Sequence, residues 1–189
     1  MLLLGLIFMP TLRISEKTKE ALGEIFPAFN TGDDMVQELI KEAGYEDLLE
    51  EEKCFFVNSN KPHLPDDGTK IYKNDVVITH GPKKYGEKLG RLQKGDYVIS
   101  YITGIGARAL GKVKKEWNGN AVEDREQIYE QENNEYQVKV NWKIILTEEE
   151  SLSPQELRET IGWKPSQAVQ KISNEKEKEK IIKAFKNKI

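Results

Sequence analysis

The sequence predicts an α+β protein: a small, mostly antiparallel β-barrel flanked by helices and preceded by a short helical N-terminal segment. Three observations lead there. From Lys53 onward the chain breaks into short β-prone runs punctuated by Gly and Pro. Before Lys53 the apolar residues recur at helical spacing. The 189 residues, 38% of them hydrophobic, suffice for one core with a small appendage.

Met1–Phe8 is apolar, but it has no basic residue ahead of it and is too short to span a bilayer. It reads as an over-extended reading frame with Met9 as the start, or as an extra strand covering a core edge. Thr11–Ser15 alternates like a short strand. Ser15 then caps a helix carrying Leu22, Ile25 and Phe26, which Pro27 and Asn30 end. Thr31 and Asp34 open a second helix that buries Met35, Val36, Leu39 and Ile40 and stops at Gly44. The acidic run Glu46–Glu52, a linker or a frayed third helix, joins this segment, residues 1–52, to the domain at 53–189.

Strands are expected at Cys54–Asn58, Asp75–Thr79, Tyr97–Thr103, Arg108–Val113 and Tyr136–Leu146. The third follows a tight Lys94-Gly95-Asp96 turn, and Gly104 with Gly106 marks the hairpin to the fourth. The fifth would put Tyr136, Val138, Val140, Trp142 and Ile144 on one face, with Trp142 in the core. Helices follow over Pro154–Ile161 and from about Asn174, the latter as a surface helix laced with Lys/Glu pairs.

The net charge of −3 conceals an asymmetry. Residues 1–52 hold 4 basic against 12 acidic side chains, leaving 25 against 20 for the remainder. Residues 83–115 are the most lopsided, with 9 basic against 2 acidic. A local positive field of this kind suits a polyanion, whatever the whole-chain balance. Lys84, Lys88 and Arg91 share one helical side. With Lys83, Lys94, Arg108, Lys114 and Lys115 they form the expected phosphate-binding set.

Catalytic and metal chemistry find little support. One cysteine and two histidines exclude a disulfide framework, a cysteine zinc site and a His-rich cluster. Gly104-Ile105-Gly106 has no following Gly-Lys-Ser/Thr, so it is a turn and not a nucleotide loop. Gln137-Val138-Lys139 puts Gln where a PD-(D/E)xK nuclease needs its acidic residue. The expectation is a cytoplasmic, non-catalytic protein with no metal, cofactor or membrane partner.

Several segments resemble one family. Cys54 to Asn60 resembles the first strand and loop of YTH domains and their prokaryotic EVE relatives, within the PUA-like class. Leu92 to Tyr101 is similar to the Gly-Asp turn and strand of EVE domains, and Arg108 to Val113 to the strand after it. Val138 to Trp142 resembles their long strand with its tryptophan; Ile161 to Pro165, continuing to Asn174, resembles the lead into the last helix. The likeness runs in order over residues 53–180, and extends to EVE-type N-terminal domains of GTP-driven, modification-dependent restriction systems.

That resemblance implies a reader that flips a base, often a modified one, into an aromatic-lined pocket. It implies base contacts from Asn58, Ser59 and Asn60, closure by Trp117, and Tyr101 at the mouth. Trp163 is a candidate for the rim. Where the family carries a second cage tryptophan this chain has Val77-Ile78-Thr79-His80, so Ile78, Thr79 and His80 join the expected pocket and His80 would stack or hydrogen-bond instead. The implied partner is DNA, methylated or hydroxymethylated, with a separate nuclease or GTPase motor; RNA is the alternative nucleic acid. A different class is represented by residues 10–44, which resemble a ribbon-helix-helix segment of dimeric antitoxins and repressors. There Thr11, Arg13 and Ser15 would face DNA, against the −8 balance of residues 1–52.

Overall fold

The structure, a computed structural model, describes residues 52–64, 66–129 and 134–189. The N-terminal strand, its two capped helices and the ribbon-helix-helix pairing surface lie outside the described residues. Among the described residues no helix is long and apolar enough to cross a membrane.

Among the described residues six strands and four α-helices follow in the order β1 (Cys54–Asn60), α1 (Thr69–Lys73), β2 (Val76–His80), α2 (Lys83–Leu89), β3 (Tyr97–Thr103), β4 (Gly106–Lys115), β5 (Glu135–Ile145), α3 (Pro154–Ile161), β6 (Val169–Ile172) and α4 (Glu175–Lys186). The expected barrel is instead an unclosed mixed sheet of order β2-β5-β4-β3-β1-β6, with β2 and β6 as its edges. β1 and β3 pair in parallel from Cys54 with Tyr97 to Asn60 with Thr103. A parallel pair needs a crossover, and the chain between them supplies α1, β2 and α2. The other pairings are antiparallel.

Alternation along β1 divides the core. Cys54 and Phe56 face a cluster closed by Leu157 and Ile161 of α3 and Ile181 and Phe185 of α4. Phe55 and Val57 face a second cluster with Leu89, Tyr136 and Val138. Burial makes such alternation binding, because a one-residue slip would drive each phenylalanine into the cluster packed for the other face. In β5, Tyr136, Val138 and Val140 stay in the second cluster, whereas Ile144 belongs to the first. The five alternate residues therefore do not share one face throughout; the β4–β5 register shifts between Leu110 and Gly111, opposite Trp142 and Ile144. Trp142 is half-buried and meets Tyr72 edge-on at 5.5 Å.

Local signals set the ends. Ser153 and Glu156 form a reciprocal capping box with Pro154 in the first turn, and Asn174 caps α4. Gly95 turns at φ +95°, and Asp96 accepts from the backbone N–H of Gln93 and Lys53 at 2.9 and 3.0 Å. Gly86 lets α2 settle on the sheet: a Cβ there would fall 2.5 Å from Tyr136 Cδ1 and 2.9 Å from Trp117 Cζ2. Helix propensity alone would favour alanine by about 1 kcal/mol. Overpacking outweighs this, so Gly86→Ala is expected to lose about 1–2 kcal/mol net in urea unfolding.

Candidate functional site

β1 outruns β6. Their ladder covers only Cys54–Val57, leaving Asn58, Ser59 and Asn60 paired on one side to β3. β2 approaches the other side without a ladder, bridged where Ser59 Oγ donates to the Ile78 carbonyl at 3.4 Å. A cavity of about 340 Å³ opens in this gap. Asn58, Ser59 and Asn60 line it from β1, Ile78, Thr79 and His80 from β2, and His63 from the turn after β1. Gly81 and Tyr85 complete one side, Ser166 and Ala168 the other, where the Asn58 N–H bonds the Ala168 carbonyl at 2.8 Å.

The lining is rich in uncharged hydrogen-bonding groups, several of them already oriented. Thr103 Oγ1 donates to Asn58 Oδ1 at 2.8 Å, and Thr79 Oγ1 to the Tyr85 carbonyl at 3.2 Å. Behind His80 lies Glu135, with no exposed side-chain surface. Its carboxylate accepts from His80 Nε2 at 3.1 Å, Gln137 Nε2 at 2.6 Å, and the N–H groups of Ile128 and Tyr129 at 3.1 and 3.3 Å. Burial pushes its pKa up, but those four donors outweigh burial and hold it below the usual carboxylate range. Nearby, Tyr129 donates its hydroxyl to Asp66, and burial followed by that carboxylate raises the phenol.

A carboxyl whose folded pKa is lowered stabilises the fold above its unfolded value and loses that contribution as pH falls. For Glu135 the loss begins near 4.5 and completes below the lower folded value. Glu135→Gln should therefore melt earlier than wild type at neutral pH and show a flatter acid dependence below 4.5, readable from thermal unfolding across pH.

Six expected pocket residues line the cavity together: Asn58, Ser59, Asn60, Ile78, Thr79 and His80. Three do not. Tyr101 is 2% exposed and meets Phe56 edge-on at 6.3 Å in the first core cluster. Trp163 packs on the same Phe56 ring at 5.6 Å, its indole N–H donating to Glu177 at 2.9 Å. Trp117, expected to close over a base, meets Tyr136 edge-on at 6.0 Å and gives its N–H to the Asn120 carbonyl at 2.8 Å. Each is held by packing that a flipped base would have to displace.

Of the expected phosphate ligands, Lys83 and Lys84 are exposed on α2, with Lys88 half-buried. The ammonium groups of Lys84 and Lys88 each sit 5.5 Å from the ring centre of the cavity-lining Tyr85. Arg91, Lys94, Lys114 and Lys115 are exposed, Arg91 lying over the Phe55 ring at 5.9 Å. Arg108 is a correction. It is 8% exposed, and its guanidinium bonds the carbonyls of Asp67 and Leu146.

Sequence reasoning missed His63, Gly81, Tyr85, Ser166 and Ala168 as cavity residues. Two carried a signal: His63 is one of only two histidines, and Tyr85 is an aromatic set within a basic run. Ser166 and Ala168 carried none, since they reach the site only because β6 pairs with β1.

No protein-family model and no curated protein matches the sequence. Solved structures do resemble the fold. An RNA complex of the YTH domain-containing protein Mmi1 has a TM-score of 0.47 at 9% identity, covering 70% of this chain and 80% of that one. A YTH domain solved in complex with m6A has a TM-score of 0.45 at 17% identity, covering 72% and 85%. A hypothetical protein from Leishmania major has a TM-score of 0.44 at 14% identity, covering 72% and 96%.

Proposed function

We propose that this chain is a non-catalytic nucleic-acid reader that takes one extruded, modified base into the cavity between β1 and β2. One observation carries the reading: an uncharged, hydrogen-bonding cavity meets a basic helix through a shared residue, Tyr85. A base is a flat, neutral group attached to a polyanion, and it requires those two environments side by side. Asn58, Asn60, Ser59 and His80 offer groups for its edge, Tyr85 a face for stacking, and Lys83, Lys84 and Lys88 charge for the phosphates. Extrusion costs a few kcal/mol of unstacking, which such contacts can offset. DNA is the leading ligand by analogy with the restriction-linked readers that the sequence more distantly resembles, which act beside a nuclease or GTPase motor.

The test is a fluorescence-anisotropy titration at two salt concentrations with matched DNA and RNA oligonucleotides. Each is unmodified or carries N6-methyladenine, 5-methylcytosine or 5-hydroxymethylcytosine. Salt-sensitive binding that prefers one modified DNA supports the reading; preference for RNA moves it to an RNA reader. Tyr85→Ala should lose about 1–2 kcal/mol of binding, as expected for one stacked base. Trp117→Ala should lower stability more than affinity. Binding to none of the oligonucleotides at low salt removes the proposal.

A further inference from the structure

We infer that His80 reads the edge of the bound base, that buried Glu135 positions it, and that the selected bases carry an exocyclic amino group retaining at least one N–H. The inference rests on the base-reader proposal and specifies what the cavity distinguishes.

Its foundation is the hydrogen-bond bookkeeping around Glu135, which pairs with His80 across the β2–β5 ladder. One oxygen receives His80 Nε2 and the Tyr129 N–H; the other receives Gln137 Nε2 and the Ile128 N–H. An ionised carboxylate only accepts, so Nε2 of His80 must carry the proton. In the neutral form of the ring the remaining nitrogen, Nδ1, is an acceptor, and that ring lines the cavity. Few acceptors there are so firmly held. Asn58 Oδ1 already takes the Thr103 hydroxyl, and the Ser59 and Thr79 hydroxyls donate to backbone carbonyls.

A fixed acceptor selects a donor. The exocyclic amino groups of adenine and cytosine supply one, and a single alkyl group leaves one N–H in place. A second alkyl group removes it and leaves Nδ1 facing an apolar group, the kind of mismatch that sites built for a hydrogen bond reject strongly. Glu135 itself need not touch the ligand. It acts by denying the ring its other tautomer, as a carboxylate behind a ligating histidine does.

Two measurements on the full chain test this. Long-range 1H–15N spectra resolve two imidazoles, with His63→Gln assigning them. The inference expects His80 with its proton on Nε2 and an unprotonated Nδ1, and a mixture of tautomers in Glu135→Gln. A proton on Nδ1 in wild type, or an unmixed Nε2 tautomer in Glu135→Gln, overturns it without reference to any ligand. The second measurement compares DNA oligonucleotides carrying adenine, N6-methyladenine, N6,N6-dimethyladenine or unsubstituted purine, with cytosine against its 4-unsubstituted analogue. Ligands retaining the N–H should bind at least about tenfold more tightly than those without it. His80→Phe, checked for folding by circular dichroism, should bring that ratio close to one. A wild-type protein that binds but ignores the N–H overturns this inference and leaves the reader intact; absence of all binding removes both.

Discussion

Arg108→Ala is expected to cost about 3 kcal/mol of folding free energy and to leave the salt dependence of nucleic-acid binding unchanged. The guanidinium gives Nη1 to the Asp67 carbonyl at 2.6 Å, and Nε and Nη2 to the Leu146 carbonyl at 3.3 and 3.1 Å. It also lies over the Tyr72 ring at 5.4 Å. It thereby ties three separate pieces together: the turn before α1, β4, and the residue following β5. Alanine would leave those carbonyls short of a donor in a site too enclosed for easy hydration, and buried polar groups without partners are costly. Arg108→Lys should recover only part of the loss, because an ammonium cannot reproduce the planar fork. Urea unfolding measures the first effect and titration at several salt concentrations the second. A stable Arg108→Ala protein whose salt slope fell by about one would return Arg108 to the phosphate ligands.

Arg108 also marks what the sequence could convey. Its position in a basic stretch is legible, but its burial depends on Asp67 and Leu146, 41 and 38 residues away. Elements fixed by local chemistry were readable to within a residue or two: the Gly95–Asp96 turn, the Gly104–Gly106 hairpin, and α3 with Pro154 behind its Ser153 cap. β6 was not. Val169–Ile172 is only four residues long and becomes a strand through pairing with β1. The openness of the sheet was likewise invisible, because closure depends on whether two edge strands meet and not on the pattern within either.

The same distinction runs through the candidate site. Asn58, Ile78 and Thr79 lie on strands the sequence announced, Ser59, Asn60 and His80 on their continuations, and the six line one cavity. The tryptophans misled for a physical reason: an indole in a polar stretch looks exposed until the helix it packs on is known. For Trp117 that helix is α2, where Gly86 and Gly90 leave room for the ring. Glu135 was overlooked because a carboxylate at the start of a strand ordinarily faces water. Its burial follows only when His80, Gln137 and two backbone N–H groups converge on it.

Replacing Lys83, Lys84 and Lys88 together with alanine should separate phosphate binding from base reading. Counterion release gives a slope of about −0.9 per phosphate neutralised on duplex DNA, so three lost contacts should flatten the log–log salt plot by about 2.7. Near 0.1 M salt that amounts to a loss of up to about 500-fold in affinity, fading as salt rises. The preference for one modified base over its unmodified counterpart should survive, since phosphate contacts position the strand without reading it. Folding should survive as well. Lys83 and Lys84 are exposed, and the half-buried Lys88 rests its charge over Tyr85 and not in the core. Lys88 is the informative member, because its ammonium and that of Lys84 lie on the ring proposed to stack on the base. If Lys88→Ala alone changed base preference, the cation would belong to the stacking surface as well as to the phosphate track. If the triple variant left the slope untouched, α2 would not be the face that meets the backbone, and the exposed Arg91, Lys94, Lys114 and Lys115 would be the next to replace.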